Sequence, residues 1–295
     1  MLSIIGILIV FACVLAGFLM ENGKVGVLLQ PAELLIIAGA ACGTILTANP
    51  VHILKQIATR LSGVWKGSQF PKQRYVDTLK MLYDLLTKSR KGGATAIESD
   101  VEEPEKSTIF SRYADFLDNH HARNFVCDTL RMAITGGVSP FDLDQMMDLD
   151  LEVHQRSENQ PVLALTTVAD ALPGLGIVAA VLGVVVTMGA LGGPPEEIGR
   201  KVAAALVGTF LGILLCYGVV GPLAANMAKR ADEEHGYYYV LRVVLMAFIK
   251  GTSPIMAVEI GRRAIPEHCR PSFAEVEAAC RQKVVEIPAE SAAAQ

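Results

Sequence analysis

Four stretches of the chain run without an Asp, Glu, Lys or Arg for about the 20 residues that a helix needs to cross a hydrocarbon core. They are Leu2 to Met20, Leu34 to Leu54, Ala171 to Pro195 and Val202 to Ala228. Between the second and third, the pattern changes to one with a helical period. From Pro71 to Arg90, the residues Val76, Leu79, Tyr83 and Leu86 recur at three- and four-residue steps, leaving Lys80, Asp84 and Lys88 on other faces. This predicts an amphipathic helix broken at Gly92-Gly93, followed by an acidic segment with Glu98, Asp100, Glu102, Glu103 and Glu105 around Pro104. Val240 to Ile249 is apolar but too short to span and contains Arg242, so it predicts a packed helix outside the membrane. The Ala-rich end from Glu290 reads as disordered. The expected fold class is an all-α membrane protein, with four transmembrane helices and a large cytoplasmic helical domain. Residues 1–54 and 170–228 carry the helix pairs, 55–169 form the cytoplasmic domain, and 229–295 form a cytoplasmic C-terminal segment.

Composition agrees with this segregation, because the chain is 52% hydrophobic yet 19% charged. A net charge of −4 and the lack of an aromatic-interleaved basic patch argue against nucleic acid as a partner. Cys13, Cys42, Cys127, Cys216, Cys269 and Cys280 form no C-x-x-C pair and read as small hydrophobes, not as disulfides or metal ligands. His120-His121 is the histidine pair of the chain; neighbours on a helix point in different directions, so a solvated surface is expected there. The first apolar run lacks a basic n-region and a small-x-small cleavage site before Glu21, which predicts a retained span. Lys55, Arg60, Lys66, Lys72 and Arg74 follow the second span, whereas Lys24 is the one base between Glu21 and Glu33. By the positive-inside rule the second span ends in the cytoplasm. Both termini are then cytoplasmic, and 21–33 and 196–201 are short external turns.

The chemistry of the spans is sparse. Asp170 and Pro173 share the cytoplasmic side with Pro222, whose missing N–H and ring predict a kink or hinge after Gly218. Pro173 equally suits the first turn of a helix with Asp170 near its cap. Gly176 with Ala180, Ala179 with Gly183, and Gly208 with Gly212 are small-x-x-x-small pairs that let helices approach closely. Proton relays need buried carboxylates or histidines. The four runs hold none except His52 near an end, so a titrating group must come from another chain. Thr187, Thr209 and Tyr217 are polar residues that could still line a path, and Thr209 lies within the Gly208-x-x-x-Gly212 surface, although a hydroxyl there can simply bond its own helix. No phosphate-binding loop, nucleophile elbow or H-E-x-x-H occurs, which argues against an enzyme.

The order of two spans, a charged cytoplasmic segment and two further spans resembles the MotA family of flagellar motor stator proteins. So do Gln30-Pro-Ala-Glu-Leu34, Lys88-Ser-Arg90, Pro173-Gly-Leu-Gly-Ile-Val-Ala-Ala180, Val207-Gly-Thr-Phe-Leu-Gly-Ile-Leu214, Ala257-Val-Glu-Ile-Gly-Arg262 and Arg270-Pro-Ser-Phe273, a likeness that extends to about Cys280. The resemblance implies an inner-membrane protein of which five copies surround two MotB chains, with the ion accepted by a MotB aspartate and torque delivered to the rotor protein FliG. It implies rotor-facing roles for Arg90 and Glu98. It also implies coupling of ion passage to motion by Pro173 and Pro222, with Asp170 at the entrance. Ala180 stands where sodium-driven relatives carry a threonine, which favours the proton over sodium and implies no cofactor. Ala180 and Thr209 are the expected path-lining residues. The rival readings are an ExbB/TolQ-type energiser, normally of three spans, a sodium-driven stator, a secondary transporter with its own midplane site, and a structural scaffold.

Overall fold

The computed structural model describes residues 2–64, 67, 69–189 and 192–281. Lys66 and the Ala-rich end lie outside them. The described residues are helical with no strand. Helix α1 is Leu2–Met20, α2 Pro31–Ala48, α3 Val51–Gly63, α4 Lys72–Gly92, α5 Glu98–Glu102, α6 Ala114–Leu117 and α7 His120–Thr135. They are followed by α8 Pro140–Met188, α9 Pro195–Leu215, a π-helical turn Cys216–Val220, α10 Gly221–Ile249, α11 Pro254–Ala264 and α12 Phe273–Arg281. Four helical stretches are long and apolar enough to cross a membrane: α1, α2, α8, and the continuous run from α9 through α10.

The chain divides into a membrane unit, residues 1–69 with 155–232, and a second unit, residues 70–154 with 233–295. In the membrane unit, prolines set the ends of the short spans. Pro31 occupies the first turn of α2, where its missing N–H costs nothing. Pro50 forces Asn49 into an extended conformation and stops α2 at Ala48. The second span is therefore Pro31–Ala48, shifted toward the N-terminus of the expected 34–54, and it takes in Glu33. Val51 to Leu54 belong instead to α3, whose Ile53 and Ile57 pack against Ala164. Further along α3, Arg60 pairs with Glu158 of α8.

The third span starts far from where polarity changes. Ser139 caps α8, accepting from the Asp142 N–H at 3.1 Å, and Pro140 opens the helix. Backbone bonding then continues through Pro161 and Pro173 to Met188. Pro173 is an internal proline and does not initiate a helix, and Asp170 is not near a cap. The link to the next helix is 189–194, because Pro195 begins α9 and carries the expected turn 196–201 into the helix.

The second unit has its own core. Helix α4 buries Tyr75, Leu79, Leu82 and Leu86, with Met81 and Leu85 beside them. Val76 and Tyr83 of the expected stripe are only half-buried, so the inward face is turned by about one residue from the simple periodic reading. The neighbours decide this: Tyr237 of α10 bonds the Thr78 hydroxyl at 2.8 Å and stacks on Phe70 at 4.6 Å. Val240, Leu241, Val244 and Leu245 are buried, as a packed helix requires. Gly261 of α11 leaves room for them, since a Cβ there would lie 2.2 Å from the Val244 Cγ2. Arg242 of α10 donates to Asp144 at 2.8 Å and to Asp148 at 2.6 Å, both on α8.

Residues of two quoted motifs close the end of this unit. Arg262 donates to Glu259 at 2.7 Å and to the Pro271 carbonyl at 3.0 Å, and Arg270 donates to the Ile265 carbonyl at 2.8 Å. The hydrogen bond from Arg262, reinforced by Arg263, holds the Glu259 carboxyl at about 2, below the ordinary glutamate range. A carboxyl whose value falls on folding stabilises above its unfolded value and loses that contribution as the pH falls toward the folded one. Glu259→Gln is expected to lower stability at neutral pH by about 1 kcal/mol and to narrow the difference from wild type as the pH drops below about 4. Thermal unfolding of the detergent-solubilised full chain between neutral pH and about pH 3 checks this; a deficit that widens in acid would refute it.

Candidate functional site

The glycines of α8 and α9 place two backbones in direct contact. A Cβ on Gly176 would come within 2.8 Å of the Gly208 carbonyl and 3.1 Å of the Gly212 Cα. One on Gly212 would lie 2.6 Å from the Leu172 carbonyl and 2.9 Å from the Gly176 Cα. No side chain fits at this crossing, which is the use of small residues in lipid. Ala180 stands just beyond it, its backbone N at 3.2 Å from where a Gly208 Cβ would be, and Thr209 adjoins Gly176, its Cα at 3.3 Å from the corresponding position. Both are half-buried. The Thr187 hydroxyl is taken up by its own helix, donating to the Gly183 carbonyl at 2.8 Å.

Pro173 lies on the Gly176 turn of α8 and is half-buried, whereas Asp170, one turn earlier, is exposed. Its neighbours Ala169 and Leu172 face the apolar cluster that Cys216 joins from the other side. At Pro222 the helix adapts before the proline. Residues Cys216–Val220 form a π turn, closed by the Gly221 N–H donating to the Cys216 carbonyl. This is an identifiable bulge of the kind found at bent or functional sites. Pro222 follows it on an exposed face, while Leu223 and Ala224 pack on Val162 and Leu165. Asp170, Pro173, Ala180, Thr209 and Pro222 thus all belong to one membrane unit, three on α8 and two on the α9–α10 run.

Arg90 and Glu98 belong to the second unit and stand at the two ends of a short connection. Arg90 is in the last turn of α4, Gly93 takes φ 84° after it, and Glu98 begins α5. Both side chains are exposed, and neither forms an ion pair among the described residues. The connection is held from beneath by Asp100. Its buried carboxylate accepts from Lys88 at 2.6 Å and from the Ser107 hydroxyl at 2.7 Å. The Ser107 oxygen in turn accepts the N–H groups of Ile109 and Phe110 at 3.1 and 3.2 Å. Asp100 was hidden in the sequence by four other acids in the same segment.

The histidine pair departs from expectation. His120 is exposed, but His121 turns inward and stacks on His154 at 3.8 Å, with Tyr238 edge-on at 4.8 Å. Burial and the His154 ring hold its pKa below the ordinary histidine value. The partner lies on α8, too distant in sequence for local pattern to reveal.

Comparison with known proteins gives this arrangement a context. Residues 118–238 match the MotA/TolQ/ExbB proton channel family, and residues 4–93 match the motility protein A N-terminal region. The chain is 39% identical over 277 residues to motility protein A of Escherichia coli K12, covering 94% of each chain. It is 36% identical to the chemotaxis protein LafT of Vibrio parahaemolyticus, covering 94% of this chain and 97% of the relative. The fold matches a chain of the C. jejuni MotAB structure with TM-score 0.74 at 18% identity, over 90% of this chain and 95% of that one. It also matches the flagellar MotAB stator complex of Bacillus subtilis with TM-score 0.72 at 20% identity, over 94% and 98% of the two chains. These findings define a membrane subunit of a proton channel family. Within that class, the chain belongs to the motility protein A family of flagellar motor stator proteins. The match over its N-terminal region and its four long apolar helices separate it from the three-span ExbB/TolQ reading.

The crossing has a sharp test. Gly212→Ala, with backbone atoms in its path, is expected to cost about 1–3 kcal/mol and lower the melting temperature of the detergent-solubilised protein. Gly174→Ala, with open space around its Cβ, should not lower it. Equal effects would show that backbone approach is not what holds α8 on α9.

Proposed function

We propose that this chain is the ring-forming subunit of a proton-driven stator. Five copies enclose two MotB-like chains, whose transmembrane aspartate accepts the ion, and the cytoplasmic segments turn a FliG-type rotor. The observation that carries this reading is the outer face of α8 and α9, which exposes apolar residues such as Val178, Val181 and Leu206 and no titratable group within the membrane spans. Between Ala171 and Met188 and between Val202 and Leu215 there is no Asp, Glu, Lys, Arg or His. Such a wall suits a carboxylate supplied by another chain, because it holds no competing charge. The fold likeness to chains from two MotAB structures supports a MotB-type partner.

In the mechanism, protonation of the partner's aspartate removes a charge that the apolar wall disfavours, and deprotonation restores it. The protein responds through α8 and α9, which are locked together at Gly176 and Gly212 and so move as a pair. Pro173 removes one backbone bond beside this contact, and the π turn before Pro222 loosens the other strand of the pair. These are the places where the pair yields. Asp170, exposed one turn from Pro173, provides an acid at the cytoplasmic exit. Orientation with both termini in the cytoplasm follows from the basic residues after the second span. Arg90 and Glu98 present opposite charges on a braced connection, which provides steering and register against a charged rotor surface. Proton use is favoured because Ala180 offers no side-chain oxygen for a hard cation.

Arg90→Glu is expected to leave membrane assembly intact while reducing swimming torque several-fold, measured on tethered cells; unchanged torque would remove Arg90 from the rotor surface. Pro173→Ala should impair torque while the complex still purifies, and loss of the complex would indicate a folding role instead. Swimming speed should follow the proton gradient and ignore sodium at fixed pH. A speed that rises with sodium would overturn the choice of ion.

A further inference from the structure

One carboxyl group in the membrane unit is left unexplained by the helix crossing. Glu33, in the first turn of α2, is only 7% exposed, and its Oε2 has no hydrogen-bond partner among the described residues. The carboxyl occupies space vacated by two glycines on two other helices. A Cβ on Gly208 of α9 would come within 2.7 Å of Oε2, and one on Gly183 of α8 within 3.3 Å of Oε1. Ala179 and Ala205 close the sides, at 3.1 Å from the first of these positions and 2.7 Å from the second. Three helices therefore supply a recess shaped for one carboxyl group and leave its oxygen unpaired.

The surroundings select what this recess holds. The facing lengths of α8 and α9 carry no charged residue. The charged residues along α9 all lie in its first two turns, where Glu197 and Lys201 are paired at 3.2 Å and Glu196 and Arg200 are exposed; Glu21 and Lys24 beyond α1 are exposed as well. Thr187, the polar side chain one turn from Gly183, spends its proton on that residue's carbonyl. A metal cation needs several oxygens around it, and the recess provides one carboxyl. A carboxylate buried without a donor or cation is unfavourable, and taking up a proton relieves this.

We propose that Glu33 is a proton-binding site of this chain's own, roughly 15 Å along α8 from Pro173, on the side of the membrane unit where α8 ends and α9 begins. Its Oε2 takes a proton from hydronium on that side, one O–H bond breaking there as one forms on the carboxyl, and later returns the proton to water; no electron is transferred. This rests on the reading of the chain as the subunit of an ion-conducting stator.

The test uses the intact stator complex carrying 13C-labelled glutamate, titrated by infrared difference spectroscopy between about pH 5 and 9. A protonated carboxyl band that titrates, vanishes in Glu33→Gln, and moves to the unlabelled position in Glu33→Asp is expected. Motor speed against external pH, held at constant proton-motive force, should change shape in Glu33→Gln. A conducting wild-type complex with no titrating band, or a Glu33→Gln speed curve that superimposes on wild type after scaling, overturns the site. A titrating band in a complex that conducts no ions would leave the site standing and overturn the stator reading beneath it.

Discussion

The membrane unit depends on the contact of backbone with backbone where α8 meets α9. Lipid tails are as apolar as the helices, so no hydrophobic drive pushes two spans together, and association falls to van der Waals contact. Gly176, Gly208 and Gly212 bring main-chain atoms near enough for that contact to be continuous. The consequence is exclusion. A crossing this tight has no volume for a titratable side chain, so charge must act from its margins. Asp170 lies exposed toward one end, and Glu33 enters a recess toward the other.

The sequence revealed the spans more readily than their ends, for a physical reason. Hydropathy reports the medium around a helix, whereas capping and proline chemistry report the backbone. At α2 the two nearly coincide, yet Glu33 reads as the close of a polar link because its partners Gly183 and Gly208 are distant in the chain. At α8 they separate: polarity changes near Asp170, but the helix starts at a Ser139 cap and ignores that boundary. The inward turn of His121 and the one-residue rotation of the α4 stripe have the same origin, since His154 and Tyr237 come from remote helices.

Among the motifs that carry the family resemblance, residue likeness alone does not separate architecture from action. Glu259, Arg262 and Arg270 spend their charges on one another and on backbone carbonyls, which fastens α11 to the segment after it. Arg90 and Glu98 carry equally strong charges but remain exposed on a connection anchored by Asp100 and Lys88. The difference lies in where the charge is directed. A side chain whose hydrogen bonds are satisfied within the fold keeps shape, whereas one supported from below and left open outward keeps its charge free at the surface.

The π turn at Cys216–Val220 also acts as a phase shifter. One extra residue within a helix advances every later side chain by about 100° relative to an uninterrupted α-helix. The residues before it can therefore be chosen to keep glycines facing α8, and those after it to keep Leu223 and Ala224 on Val162 and Leu165. A single polypeptide rod thus carries two independently aligned faces. If the turn were to tighten into regular α-helix, one face would keep its partner only by taking the other out of register, so a local change in hydrogen bonding would be converted into rotation.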